Sequence, residues 1–427
     1  MKDDIKKEDI GMNTIGISTL SLNDFNIPTI AFLMLFTYWY LFPQHFFPII
    51  FKFKVPIIAV IICIFSLFVQ FKPNKFIYVK SEIFALVVLV IMFFLARFFV
   101  RDVRHADFYF QEHIQNTIVG VVFFLNFHKA NKLHLFTVLL IAFGTFTAFV
   151  GFREGGLIWT HDFMKDENQI SAFMAMVLPV TIFYSFYTPK LKYKILCYLC
   201  AAMQVSLVVR SFSRSGFVAL VAICLCMLLK SKKRILLIII FSVSTMLVIN
   251  YAPKRFFKEI ESLDEGTREA TAHARMRFWG RAWRMFLDSP IVGKGIGQYP
   301  AENYNYRLPG EYHDVTDYLV CHSNWFQILS ELGLLGFFCY FVIWYKYFKG
   351  CYLINRYQYD RSKKVMNGAE ESFYNNISLG YAIGMIGFMV AGTFINIMIF
   401  AYYYNFVFFV MTLKSTWLTK IEQPIAA

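Results

Sequence analysis

Disulfide chemistry is the first thing this chain lacks. Its 427 residues include eight cysteines, but no spacing among them forms a disulfide framework. Cys197 and Cys200 make a CxxC, yet it lies inside an apolar run, where free cysteine behaves as a small hydrophobe. No Cys/His cluster has the spacing of a zinc site, so no bound metal is expected. The opening residues also lack the marks of a cleaved signal. Residues 1–27 are polar and mixed in charge, without a basic start, a short apolar core and a small-residue cleavage site. The first apolar segment is therefore expected to stay as an anchor. The sequence carries neither an internal repeat nor a low-complexity tract.

What the chain has in excess is apolar material. Hydrophobic residues make up 58% of it and aromatic residues 19%, with Phe alone occurring 50 times. A soluble domain of this size has no need of so much. The residues fall in blocks about 17–25 long, enough to cross a bilayer core as helices. The expected fold is all-α, a polytopic membrane protein with about twelve transmembrane helices. The spans are predicted at 28–50, 55–71, 81–100, 109–127, 133–151, 168–187, 192–209, 215–229, 235–251, 322–345, 376–395 and 397–413. They divide the chain into an N-terminal membrane bundle (1–251), one large outside loop (252–321) and a C-terminal membrane bundle (322–427).

The net charge of +14 does not point to nucleic acid. Basic residues sit mostly in short connections between spans, where anionic headgroups and the positive-inside bias account for them. With the N-terminus placed inside, the inside segments hold 23 basic residues, 20 of them Lys, and the opposite side holds 19, of which 13 are Arg. Lysine marks the inside, as a topology signal should. Arginine gathers where topology does not favour it, and guanidinium is the better bidentate partner for phosphate. An anionic ligand on the outside, such as a lipid phosphate or pyrophosphate, is the expectation this raises. The plainer alternative is snorkelling of interfacial arginines.

Three stretches sharpen that expectation. In LVVRSFSRSGF, Arg210 and Arg214 stand between two apolar segments. A continuous helix would put both on one face, whereas a break at Ser211, Ser213 and Gly216 would aim the N–H groups of the next helix at the same region. Inside the long loop, TREATAHARMRFWGRAWRMFLD reads as an amphipathic helix lying along the membrane. Met276, Trp279, Trp283 and Phe286 form its apolar face, and Arg277, Arg281 and Arg284 the opposite one, as headgroup contacts. Arg275 falls on the apolar face and must turn towards protein or a bound anion. Where the loop enters the next span, CHSNWFQILSELGLLG carries His322. A helix N-terminus disfavours imidazolium, so His322 is expected neutral near pH 7 and able to act as a general base. Ser323 and Asn324 are candidate capping groups. Glu331 is costly in a membrane unless paired or placed in a polar cavity. Arg153, in GFREGG, opens another outside loop and is a further candidate for the anion site. GKGIGQYP at 293–300 lacks the strand, lysine and hydroxyl of a phosphate loop and is expected to be a tight turn below the surface helix.

At these residues the sequence resembles the bacterial O-antigen ligase and O-antigen polymerase superfamily. The resemblance rests on SRSG at 213–216, ARMRFWGRAW…DSPIVGKGIG at 274–296 and HSNWFQILSELGLLG at 322–336, in that order, and covers roughly residues 205–345. It implies a metal-independent, inverting glycosyltransferase of the inner membrane that needs no cofactor. Such an enzyme takes a glycan from an undecaprenyl-pyrophosphate carrier and passes it to an acceptor hydroxyl on the periplasmic side. The long loop is then periplasmic and both termini are cytoplasmic. By the resemblance, Arg214, Arg275 (with Arg277 as second choice) and His322 are catalytic; Arg210, Arg277, Arg153 and Asn324 are the substrate-binding candidates. Asn324 departs from the family pattern, in which Asn often follows His directly.

Three acceptors compete within this class. Lipid A–core makes the chain a ligase, another lipid-linked glycan makes it a polymerase, and a protein Ser or Thr makes it an O-oligosaccharyltransferase. The ligase is placed first. A transporter of lipid-linked sugar is the reading from a different class. It would spread charge through several spans and use broken helices or paired repeats, and it has no need of a long loop rich in Arg and Trp.

Overall fold

The structure is a computed structural model. It describes residues 20–21, 24–47, 54–158, 166–230, 235, 239, 267–311, 320–357 and 366–422. The described residues are helical almost throughout and contain no strand. Before the long connection come α1 (Ile27–Leu41), α2 (Val55–Gln70), α3 (Lys80–Ala96), α4 (Val103–Asn126), α5 (Ala130–Arg153), α6 (Glu167–Tyr187), α7 (Leu191–Arg210) and α8 (Arg214–Lys230). Within the connection lies α9 (Thr267–Asp288). After it follow α10 (Asn324–Arg356), α11 (Gly368–Ala391) and α12 (Ala401–Glu422).

This is a helical membrane protein, but the expectation of about twelve spans is not met by length and apolarity. Among the described residues, four helices, α5, α6, α7 and α10, are long and apolar enough to cross a bilayer. The helices α1 and α2 are apolar but have only 15 and 16 residues. At about 1.5 Å per residue they fall short of a core about 30 Å thick. The segment expected at 28–50 stops at Leu41 because Phe42 turns left-handed (φ 35°) and Pro43 follows. The last two predicted spans shift outward to α11 and α12, leaving residues 392–400 as a connection without helix. The span expected at 235–251 lies outside the described residues apart from 235 and 239.

The centre of the fold is built by elements far apart in sequence. Nearly all of α6 is buried, as befits a helix apolar all round. It packs closely on α11 because Gly380, Gly384 and Gly387 face it. A Cβ at Gly384 would sit 2.4 Å from the Met176 carbonyl oxygen, so only glycine allows the two backbones to meet there. Every residue of α12 from Ala401 to Trp417 is buried, against α4, α10 and α11. Lys414 of α12 forms a buried ion pair with Glu82 of α3. Helices from both sides of the long connection therefore interleave.

Candidate functional site

The corner between α7 and α8 decides how Arg210 and Arg214 are held. The chain breaks there. Phe212 adopts a left-handed conformation (φ 56°). Ser213 caps α8, its Oγ accepting from the Gly216 N–H at 3.0 Å. The hydroxyls of Ser213 and Ser215 each donate to Asn168 Oδ1 at 2.9 Å, and Ser211 and Ser171 share a hydrogen bond of 2.8 Å. A Cβ at Gly216 would lie 2.4 Å from Ser171 Cβ. The serines and glycine of SRSG thus bolt the corner to the first turns of α6. Arg214 is left exposed at the start of α8. Arg210, half-buried, lies 5.0 Å over the Phe152 ring, and its Nε is buried without a hydrogen-bond partner among the described residues. Arg153 is exposed at the end of α5, next to Phe152.

The amphipathic helix is present as α9, but its faces differ from the sequence expectation. Phe278, Arg281, Ala282, Met285 and Phe286 are buried, whereas Met276, Trp283 and Leu287 are exposed. Arg281, predicted as a headgroup contact, is fully buried. Its Nε donates to Glu311 Oε2 at 2.8 Å and its Nη1 to Asn303 Oδ1 at 3.2 Å. Arg284 donates to the other Glu311 oxygen at 3.2 Å and to the Tyr306 carbonyl at 2.7 Å. A carboxylate from the same connection, invisible to a helical wheel, turns these two arginines inward. Arg275 and Arg277 are both half-buried.

Below α9, the turn expected at 293–300 is present, with positive φ at Gly293, Gly295 and Gly297. It docks on a break in α10, where Gly333 has φ 63° and ψ −162°. The helical hydrogen bonds lost at that break are replaced by the turn. Leu334 and Leu335 N–H donate to the Pro290 and Ile291 carbonyls at 2.8 and 3.0 Å, and the Lys294 and Gly295 N–H to Ser330 and Glu331 carbonyls at 3.0 and 2.9 Å. The Glu331 carboxylate, fully buried, accepts from Gly297 N–H, Tyr299 N–H and Gln327 Nε2 at 3.0, 2.8 and 3.0 Å. Glu331 is thereby the anchor of the loop on the span, a role the sequence left open.

His322 precedes α10 in a left-handed conformation (φ 52°) that is uncommon for a non-glycine residue. Burial first, and the nearby Arg275 charge second, hold its imidazole below the ordinary value, while Asp166 acts the other way. Ser323 occupies the N-cap of α10 but makes no side-chain capping bond. Asn324 is wholly buried; its Oδ1 accepts from the Ile397 N–H at 2.8 Å and its own N–H donates to the Gly392 carbonyl at 2.8 Å. Its contacts hold the 392–400 connection to the start of α10.

The arginines and the histidine meet through Arg275. Burial and then the charge of Arg214 lower the proton affinity of Arg275, and Glu167 and Asp166 oppose them. Arg275 is therefore an electrostatic neighbour of both Arg214 and His322. His322 also lines a chamber of about 560 Å³, within the range of about 300–1,000 Å³ typical of small-ligand sites. Its walls come from α4 (Phe108, Tyr109, Glu112), the start of α6 (Asp166, Gln169), α10 and the 392–400 connection. Arg214 and Arg275 are not among its lining residues. Sequence reasoning missed Glu112, Asp166, Gln169 and Asn396. The stretch HDFMKDENQISAF holds two of them, and Asp166 also caps α6, accepting from Asn168 and Gln169 N–H at 2.9 and 3.0 Å.

Residues 199–341, roughly a third of the chain, match the O-antigen ligase family. No curated protein matches the chain. The matched segment contains the α7–α8 corner, α9, the glycine turn, His322 and the break in α10.

Proposed function

We propose, from the match of residues 199–341 to the O-antigen ligase family, that the chain transfers a glycan from an undecaprenyl-pyrophosphate carrier to an acceptor hydroxyl. In this reading it is an O-antigen ligase of the bacterial inner membrane, with lipid A–core as acceptor. The 252–321 segment is periplasmic, the segments 1–251 and 322–427 form the membrane bundle, and both termini are cytoplasmic.

The observation that carries the reading is that Arg275 is coupled by charge both to Arg214 and to the chamber histidine. Arg214 and Arg275 bind the donor pyrophosphate, with Arg210, Arg277 and Arg153 as further contacts. They stabilise the charge it gains as the bond from the anomeric carbon to the phosphate oxygen breaks. The acceptor oxygen bonds to the anomeric carbon from the opposite side, which inverts it, and its proton passes to the His322 imidazole. A histidine held below its ordinary pKa is neutral at pH 7 and free to take that proton. No metal is needed in this scheme, because guanidinium groups supply the positive charge.

The test is transfer from a purified lipid-pyrophosphate-linked glycan by the full-length protein in detergent with chelator present. Arg214→Ala and His322→Ala should each abolish it while membrane insertion is kept. Full activity in purified Arg214→Ala protein would rule the assignment out. Surface polysaccharide from a deletion strain identifies the acceptor: a ligase leaves carrier-linked chains intact and unattached, whereas a polymerase leaves single-repeat caps.

A further inference from the structure

We propose that the tip of the long connection, Leu287 to Val292, is a re-entrant anchor seated among lipid acyl chains beside α10. This requires only that α10 crosses the bilayer, and it holds whether or not the chain transfers a glycan. Depth points there first. Between Glu331 and Lys346 the sequence of α10 has no charged residue. Lys346 and Lys349 end that apolar stretch, and their ammonium groups stay near the headgroups. Leu334 precedes them by twelve and fifteen residues, about 18 and 23 Å at about 1.5 Å per residue. Any tilt of the helix lowers that height further. A hydrocarbon core is about 30 Å thick, so Leu334 lies within it. So does the backbone bonded to it: Leu334 and Leu335 N–H donate to the Pro290 and Ile291 carbonyls at 2.8 and 3.0 Å.

The surface of the tip suits that depth. Leu287, Ile291 and Val292 are 58%, 68% and 55% exposed. They continue the exposed apolar stripe of α10, where Leu334, Phe338, Phe341 and Tyr345 recur at helical spacing. Trp283, one turn before Leu287 and also exposed, is of the type that settles at headgroup level. The charges flanking the tip are matched, Lys294 pairing with Asp288. The Lys294 N–H donates to the Ser330 carbonyl, one turn above Leu334 and about 24–29 Å from the α10 lysines by the same rise, at the edge of the core.

The backbone is prepared for lipid as well. Non-helical chain survives at membrane depth only where protein satisfies its polar groups. Besides the two carbonyls held by α10, the Ser289 carbonyl accepts from Gly293 N–H at 3.0 Å and the Gly293 carbonyl from Ser289 Oγ at 2.8 Å. Pro290 has no N–H to satisfy. The turn thus presents side chains outward and keeps these carbonyls inward. Because it follows α9 directly, it ties the end of that helix to the bilayer.

The test needs no substitution. The full-length protein is reconstituted in vesicles of phosphatidylethanolamine and phosphatidylglycerol doped with a phospholipid carrying a diazirine in its acyl chain. After photolysis and trypsin digestion, lipid adducts are read by mass spectrometry. Cleavage after Arg284, Lys294 and Arg307 yields the adjacent peptides 285–294 and 295–307. The first should carry at least about fivefold more label than the second, as expected for chain inside rather than outside the hydrocarbon. Ile291→Asp/Val292→Asp, which keeps the backbone bonds of the turn available, should bring the two peptides to within about twofold as the charges leave the core. Label on the α10 peptide should stay at its parent level. Equal labelling of the two peptides in the parent protein overturns the proposal; a tip covered by a second copy of the chain, or standing in water, gives that result. Labelling of 285–294 that is unchanged in a folded double variant overturns it too.

Discussion

Arg281 and Arg275 lie on the same helix, α9, in opposite electrostatic surroundings. Arg281 is fully buried, yet its charge is matched. Burial alone would push the Glu311 carboxyl upward, but the hydrogen bond from Arg281 and the charges of Arg281 and Arg284 outweigh it and hold Glu311 below the usual carboxylate range. Arg275 is less buried, and its nearest influences after burial are the like charge of Arg214 and then the more weakly opposing Glu167 and Asp166. No ion pair to Arg275 forms among the described residues. An arginine that is already neutralised holds structure together. An arginine set beside another arginine is a place where an arriving anion lowers the free energy. Burial alone would have ranked the two the wrong way round.

The contrast is broken most directly by deleting one member of each kind. Arg275→Ala should lower kcat for glycan transfer by about 10²–10³, the cost typical of removing a group that stabilises developing negative charge, with the unfolding temperature in detergent unchanged. Arg281→Ala should act on the fold. It removes one of the two arginines that hold Glu311 and leaves Arg284 on the other carboxylate oxygen, at about 1.5–3 kcal/mol for a lost hydrogen bond to a charged group, and the loss is local to the loop. Hydrogen exchange across residues 278–306 is the measurement. Faster exchange in Arg281→Ala, with a less than additive further increase on adding Glu311→Ala, is the expected pattern. Equal exchange in Arg275→Ala and Arg281→Ala would erase the distinction.

A smaller effect tests how the loop is seated on the span. Gly333 sits at φ 63°, and a Cβ there would lie 2.5 Å from the Ile291 carbonyl. Gly333→Ala should therefore loosen the contact between the 289–299 turn and α10 by about 1–3 kcal/mol, the usual cost of such strain. Trypsin cleavage after Lys294 should accelerate, while cleavage elsewhere in the chain stays at its parent rate. Unchanged cleavage at Lys294 would mean that the turn holds without the break in α10.

How much of this was legible in the sequence varies with the kind of interaction. The α7–α8 corner was legible because serine and glycine, which break and cap helices, are themselves the residues that hold Arg214. The helix α9 was legible as a helix, but not its orientation. Which arginines face inward depends on Glu311, which lies far along the chain and joins them only through folding. The anchor at Glu331 left no trace beyond a carboxylate in an apolar run, because its partners Gly297 and Tyr299 are backbone N–H groups and carry no side-chain signature. Residues 395–400 misled in the other direction. Ile395, Met398, Ile399 and Phe400 read as the continuation of a span, and in the fold they form one wall of the chamber with Asn396 among them.

The subtlest consequence of the contrast lies in the pH profile. The base must be neutral to accept a proton, so kcat/KM should fall on the acid side as pH drops through the His322 pKa. Burial and Arg275 place that pKa below 6.5, so the limb lies below the ordinary imidazole range. Asp166 is the opposing influence: its carboxylate favours the imidazolium. Removing that charge with Asp166→Asn makes the imidazolium harder to form, so the limb should move to still lower pH. The plateau should fall as well, because a weaker base takes the acceptor proton less readily. Profiles of kcat/KM from pH 4.5 to 8, measured at fixed ionic strength, separate the two effects. A limb that moves to higher pH in Asp166→Asn would mean that Asp166 does not act on His322 through its charge.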